Sequence, residues 1–276
     1  MSEPPSSFQA LAERGEALAA AFDAAGAIEA MRAALALRPD QHWLRVNLAR
    51  ALFALGHVTE AMRENERAVH ETDGEPREHA IRNAAIMAPG DPALDNAMIL
   101  GMRRRWARAE ARKVVPLHAR PKRAGRVRLA YTGAFFDKPN WMKMYMGVIN
   151  AHDRDRFEIN LIVDGGVPCA AAGYRDHDDD RIWEVDGVPN GRLAQLIAEA
   201  GIEVLVDLNG YSHAARLPLL AYRAAPVQVA WNGMYGSTGF PDLDALIGDA
   251  WSIPPGEERF CTEPVASMLT STTPST

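Results

Sequence analysis

The sequence predicts an all-helical N-terminal part followed by an α/β domain built on a mostly parallel sheet. Three observations carry this. Up to about residue 114, alanine, leucine, glutamate and arginine dominate, and apolar residues recur every three or four positions, as on amphipathic helices. From Arg126 onward, short apolar runs alternate with helical stretches, the pattern of strand–helix–strand units with right-handed crossovers. Between Glu203 and Gly239 a buried strand, a polar turn, a short helix and a second strand follow one another and end in a glycine-spaced loop.

Composition narrows the function classes. The chain has 276 residues, enough for one large domain or two small ones, and 47% of them are apolar, which supplies a core. A formal net charge of −6 argues against a protein devoted to nucleic acid. Cys169 and Cys261 lie far apart without metal-ligand spacing, so they read as free thiols in a reducing, cytoplasmic compartment. No apolar run approaches the roughly 18–20 residues that span a bilayer, and no membrane partner is expected. The first residues are acidic and polar, unlike a secretory signal.

The helical part, taken as residues 1–115, shows internal similarity. Glu29-Ala30-Met31-Arg32 recurs as Glu60-Ala61-Met62-Arg63, a shift of 31, while a shift of 34 aligns Ala27 with Ala61 and Ala34 with Ala68. Leu48, Ala49, Leu52, Gly56, Ala61 and Ala68 stand where the packing residues of a tetratricopeptide repeat belong, because small residues let paired helices approach closely. The segment resembles one good repeat and one degenerate repeat; an ordinary helix bundle is the alternative. Such repeats imply a protein partner segment. The turn at Pro89–Pro92 precedes a long helix, roughly Ala93 to Val114, and Arg103 to Arg128 form a basic stretch. That stretch reads as a solvated helix face whose cations complement the helix dipole, in preference to a nucleic-acid site.

The α/β part, taken as residues 125–265, is expected to contain strands at 127–131, 157–163, 181–185, 204–206, 227–231 and 243–247, and helices at 140–152 and 191–200. Gly201 is the expected C-cap of the second helix. Met142, Met144 and Met146 should pack the first helix on the sheet. Residues 266–276 are expected to be a disordered, low-complexity tail. Ligands of open α/β sheets bind at the carboxyl ends of the strands. His213 is there, as the best-placed histidine for acid–base work. Arg216 and Arg223 can hold an anionic group or form a salt-bridging helix face, Tyr211 and Tyr235 can stack on a ligand ring or pack the loops, and Gly233, Gly236 and Gly239 shape the last loop. The acidic run Asp176–Asp180 lacks calcium-loop spacing and reads as a solvated loop.

Residues 203–263 resemble the catalytic region of the O-linked N-acetylglucosamine transferase (SPINDLY-like) glycosyltransferases. The matching pieces are Asn209-Gly210-Tyr211, Arg216, Arg223-Ala224-Ala225-Pro226-Val227-Gln228-Val229, Trp231-Asn232-Gly233, Gly236-Ser237-Thr238-Gly239, Asp244, Leu246-Ile247-Gly248-Asp249 and Phe260-Cys261-Thr262-Glu263. Arg126–Tyr131 and Asp153–Glu158 are similar to the family's first strand and the start of its second. The resemblance implies one Rossmann-like half of a GT-B fold, preceded by tetratricopeptide repeats. It implies UDP-N-acetylglucosamine (UDP-GlcNAc) as donor, serine or threonine hydroxyls of proteins as acceptors, and no cofactor or required metal. Substrate contacts are then expected at Lys138, Asn209, Tyr211, Arg216, Gly233, Tyr235, Gly236 and Thr238. Where the family carries a histidine after its first strand, this chain reads Thr132-Gly133-Ala134-Phe135-Phe136-Asp137, which leaves Asp137 as the substitute base. The second, nucleotide-binding half is expected to be absent, so that the chain alone is weakly active or inactive. A non-catalytic repeat protein with a vestigial transferase half is the rival reading.

Overall fold

The computed structural model describes residues 7–117, 125–231 and 236–268. The chain divides into two compact units, Met1–Trp106 and Ala107–Thr276.

In the first unit five helices follow one another: α1 Phe8–Ala20, α2 Ala24–Leu37, α3 His42–Ala54, α4 Val58–Glu71 and α5 Gly74–Met87. Helix α6, Asn96–Ala111, comes next. It starts later than Ala93 because Asp91 and Asp95 form the entry turn, with Asp95 Oδ1 accepting from Met98 N at 2.8 Å. Asp23 caps α2 in the same manner, accepting from Gly26 N at 2.9 Å. Corresponding helices begin at Phe8 and His42, and at Ala24 and Val58, so the repeat period is 34 and the 31-residue echo is out of register. Ala27, Ala34, Ala61 and Ala68 are fully buried, as close helix pairing requires. Arg103 is buried as well, so the basic stretch is not one uniformly solvated face.

The 34-residue register also exposes a flaw. Gly56, between α3 and α4, has φ +81, and its equivalent between α1 and α2 is Phe22, with φ +62. Phe22 is 96% exposed, so its side chain gains almost nothing from packing. A left-handed backbone costs an L-residue about 1–2 kcal/mol, a cost glycine escapes. Phe22→Gly should therefore stabilise the helical unit by about 1 kcal/mol. Thermal melts of the two chains should show a rise of a few degrees.

Among its described residues the second unit holds seven strands: β1 Val127–Gly133, β2 Phe157–Val163, β3 Arg181–Glu184, β4 Val204–Asp207, β5 Val227–Trp231, β6 Ala245–Gly248 and β7 Val265–Ser267. Their order across the sheet is β3-β2-β1-β4-β5-β6-β7, and every pairing is parallel. Helix α7, Pro139–Ala151, covers one face through Met142, Tyr145, Met146 and Ile149, against Leu129, Tyr131, Ile159 and Leu161, whereas Met144 falls on the outer face of the helix and is exposed. Helix α8, Asn190–Ala200, covers the other through Leu193, Ala194 and Ile197, against Ala130, Ile162 and Leu205. Gly201 ends α8 in the left-handed region. The link from β4 to β5 is two 3-10 turns, Gly210–His213 and Leu217–Tyr222, in place of an α-helix. Gln228, fully buried, braces that link by accepting from Ala224 N and donating to Leu220 O. Strand β7 takes in Ala266 and Ser267, so regular structure runs past the start of the expected tail at 266; residues 269–276 lie outside the described part.

The basic and acidic runs of this unit pair with each other. Arg126 meets Asp179 at 2.7 Å, and Arg154 holds Asp180 with two donors at 3.0 and 2.8 Å. Arg128 bonds Glu158 and the Ala200 carbonyl. Beside them the Tyr131 hydroxyl meets His152 Nε2 at 2.7 Å. Burial, then the Arg154 charge, hold the His152 pKa below its ordinary 6.5. The unfolded chain therefore takes up a proton at this site before the folded chain does. His152 leaves stability undiminished above about pH 6.5 and lowers it as the pH falls through that value toward the folded pKa. Urea midpoints should be lower at pH 5.5 than at pH 7.5, and His152→Gln should show a smaller difference.

Candidate functional site

The chain leaves β1 toward β2 and β3, then returns through α8 to β4 on the other side of β1. The crevice of this open sheet therefore lies at the carboxyl ends of β1 and β4, where strand order reverses. Asp207 ends β4 and folds the turn beyond it, accepting from Asn209 N at 3.2 Å and Gly210 N at 2.8 Å. Burial raises the Asp207 pKa; those two backbone donors pull it back, and the result is about 6. Asn209 is fully buried. Its Oδ1 accepts from Ala134 N at 2.8 Å and so bridges the crevice, while its Nδ2, beside the Asp207 carboxylate, has no geometrically good hydrogen bond among the described residues.

Beside the crevice stands a group of three side chains. Asp164 follows β2 directly. Its Oδ2 lies 2.7 Å from His213 Nε2 and accepts from Arg216 Nε at 3.0 Å, and its Oδ1 accepts from Arg216 Nη2 at 2.6 Å. Arg216 also donates to the Val188 carbonyl and to Asn190 Oδ1. Burial pushes the Asp164 carboxyl up, but the Arg216 hydrogen bonds and charge, joined by His213, outweigh it and hold the carboxyl below its ordinary value. Arg216 is thus a buried scaffold cation, not an open anion holder as expected. Asp164 was not singled out in the sequence. Its one local signal is an acidic residue set between a buried strand and a glycine pair.

The β1 and β2 loops touch through those glycines. Gly165 has φ +142, and a Cβ on it would lie 2.7 Å from the Ala134 carbonyl oxygen. A Cβ on Gly166 would meet the Asp137 carboxylate at 1.9 Å. Asp137 pairs with Lys138 at 2.6 Å, and that lysine is largely exposed. No hydrogen bond joins Asp137 to His213, so the two expected acid–base groups do not form a dyad.

The loop after β5 is fastened from within. Tyr211 is 3% exposed and donates to the Thr238 carbonyl at 2.7 Å. It braces two loops and presents no open ring face for stacking. Thr238 is also buried, and its N–H and hydroxyl both bond Glu263. Ser237 Oγ donates to the other Glu263 oxygen at 2.7 Å. Gly236 is half-buried at φ +107. Gly233 and Tyr235 lie outside the described residues. Also at the carboxyl edge, Met144, Trp231, Ile247, Asp249, Trp251 and Met268 line a pocket of about 470 Å³ that the sequence did not announce. Among the described residues no group of three or more His, Cys, Asp or Glu side chains is disposed to hold a metal, and no helix is long and apolar enough to cross a membrane.

Comparisons with known proteins agree with this architecture. The model of glycosyl transferase family 41 matches residues 107–272, and a tetratricopeptide-repeat model matches residues 18–85. A UDP-N-acetylglucosamine–peptide N-acetylglucosaminyltransferase of Caenorhabditis elegans is 30% identical over 147 residues, which are 52% of this chain and 13% of that protein. A probable enzyme of the same name, SPINDLY, from Arabidopsis thaliana is 31% identical over 113 residues, 39% of this chain and 12% of that protein. An O-GlcNAc transferase variant from Thermobaculum terrenum superposes with a TM-score of 0.80 at 26% identity, covering 96% of this chain and 51% of its own. The chain thus spans about half of that solved relative and about an eighth of the two curated ones. With helical repeats ahead of a parallel α/β sheet, and a match across 107–272, the chain belongs to glycosyl transferase family 41.

Proposed function

We propose that the α/β unit is one half of a sugar-transfer cleft that moves N-acetylglucosamine from UDP-GlcNAc to serine or threonine hydroxyls of proteins. The carrying observation is the polar array at the β1–β4 crevice, His213 on Asp164 with Asn209 beside it. A hydroxyl acceptor needs a positioned base, and a departing UDP needs fixed donors against its developing charge. His213 fills the first role, Lys138 and the Gly236 backbone contribute to the second, and the helical repeats present the acceptor protein. Two free cysteines, Cys169 and Cys261, suit the reducing cytoplasm, where we place the reaction.

The described residues build one sheet, whereas a GT-B cleft needs two facing halves. The purified 276-residue polypeptide is therefore expected to give negligible transfer from labelled UDP-GlcNAc to candidate proteins. Robust turnover by this polypeptide would show that one half suffices. Calorimetry against millimolar UDP-GlcNAc supplies the second readout. Weak binding supports the cleft, and no heat combined with capture of partner protein supports a purely adhesive role.

A further inference from the structure

The β1 loop of this chain offers no histidine, yet His213 is held from behind by two side chains. The Asp164 carboxylate takes the Nε2 side of the imidazole at 2.7 Å. Arg216, 7% exposed, clamps the same carboxylate through two donors and is itself tied to Val188 O and Asn190. That clamp keeps Asp164 ionised, so Asp164 can only accept, and Nε2 must carry the hydrogen. No protein atom among the described residues hydrogen-bonds Nδ1, and the His213 side chain is 34% exposed.

We propose that Asp164 and Arg216 are positioning residues that lock His213 with its Nε2 hydrogen turned inward and its Nδ1 lone pair turned outward, as the proton acceptor for an alcohol. This deepens the transferase reading and rests on it for the identity of the alcohol. In the step itself the hydroxyl proton passes to Nδ1 while the hydroxyl oxygen bonds the sugar carbon. The leaving group departs with the electron pair of the broken bond. The imidazolium keeps its Nε2–H on Asp164, whose negative charge offsets the new positive one. The arrangement follows the logic of a carboxylate fixing the tautomer of a catalytic histidine. Here a buried arginine fixes the carboxylate in turn.

The test needs no turnover. The chain is treated at pH 8 with diethyl pyrocarbonate, which acylates the nitrogen that bears the lone pair. Long-range proton–nitrogen spectra, with His213→Gln as the assignment control, identify the modified nitrogen. Before treatment the wild type should show a slowly exchanging, low-field Nε2–H signal, and acylation should fall on Nδ1 with release of the Nε2 proton. Asp164→Ala should lose that signal and move acylation to Nε2, the less hindered nitrogen. Acylation of the wild type at Nε2, or an unchanged pattern in a folded Asp164→Ala chain, overturns the proposal. If Asp164→Ala does not fold by circular dichroism, the wild-type regiochemistry decides alone. Failure of sugar transfer leaves this readout untouched, so the two ideas fail separately.

Discussion

Replacing Arg216 by methionine should destabilise the α/β unit by about 3–5 kcal/mol, the usual result of breaking a buried ion pair from one side. Both partners are nearly enclosed, Arg216 at 7% and Asp164 at 9% side-chain exposure, so solvent screens little of the loss. The change also leaves the Val188 carbonyl and Asn190 Oδ1 without their donor. At about 2–4 °C per kcal/mol for a unit of this size, the melting temperature should drop by roughly 10 °C. Asp164→Asn combined with Arg216→Met should cost clearly less than the sum of the single changes, because each single change strands the partner. Strictly additive urea midpoints would mean that the two side chains do not act as a pair.

Glu263 carries the second large effect. It is 4% exposed and receives Ser237 Oγ, Thr238 N and Thr238 Oγ1 on its two oxygens. Glu263→Ala strands all of these donors at once. A buried donor left unmade costs about 1–3 kcal/mol, and the three share some relief, so a loss of about 2–4 kcal/mol is expected. Glu263→Gln, which keeps one acceptor oxygen, should fall between. Limited proteolysis should cut the alanine variant between Ser237 and Phe240 well before wild type. Equal cutting rates would place the restraint on this loop elsewhere, for instance on the Tyr211 hydroxyl.

How much of this was readable beforehand depended on how local each signal is. The strands 157–163 and 227–231 announce themselves as apolar runs, and the structure gives them the same limits. The helix cap at Gly201 follows from local chemistry. Strand β7 is three residues long, with Ala266 and Ser267 exposed, and leaves no periodic trace. The repeat register was ambiguous by sequence identity and is settled by where the helices begin. Polar residues at strand tips were read as ligand contacts, but Tyr211, Arg216 and Thr238 turn inward to fasten loops to each other. Their partners are distant in sequence: Arg216 finds Asp164 across 52 residues and Thr238 finds Glu263 across 25. Spacing along the chain does not report such pairs. Asp164 was overlooked for the same reason.

Asn209 sets the hydrogen-bonding polarity of the seam it closes. Its carbonyl oxygen is already taken by the Ala134 amide, so the part of the side chain left over can only give hydrogens. A phosphoryl, carbonyl or ether oxygen lodged between the two strand tips can accept from that amide, while the Asp207 carboxylate at the base of the same turn supplies the seam's lone pairs.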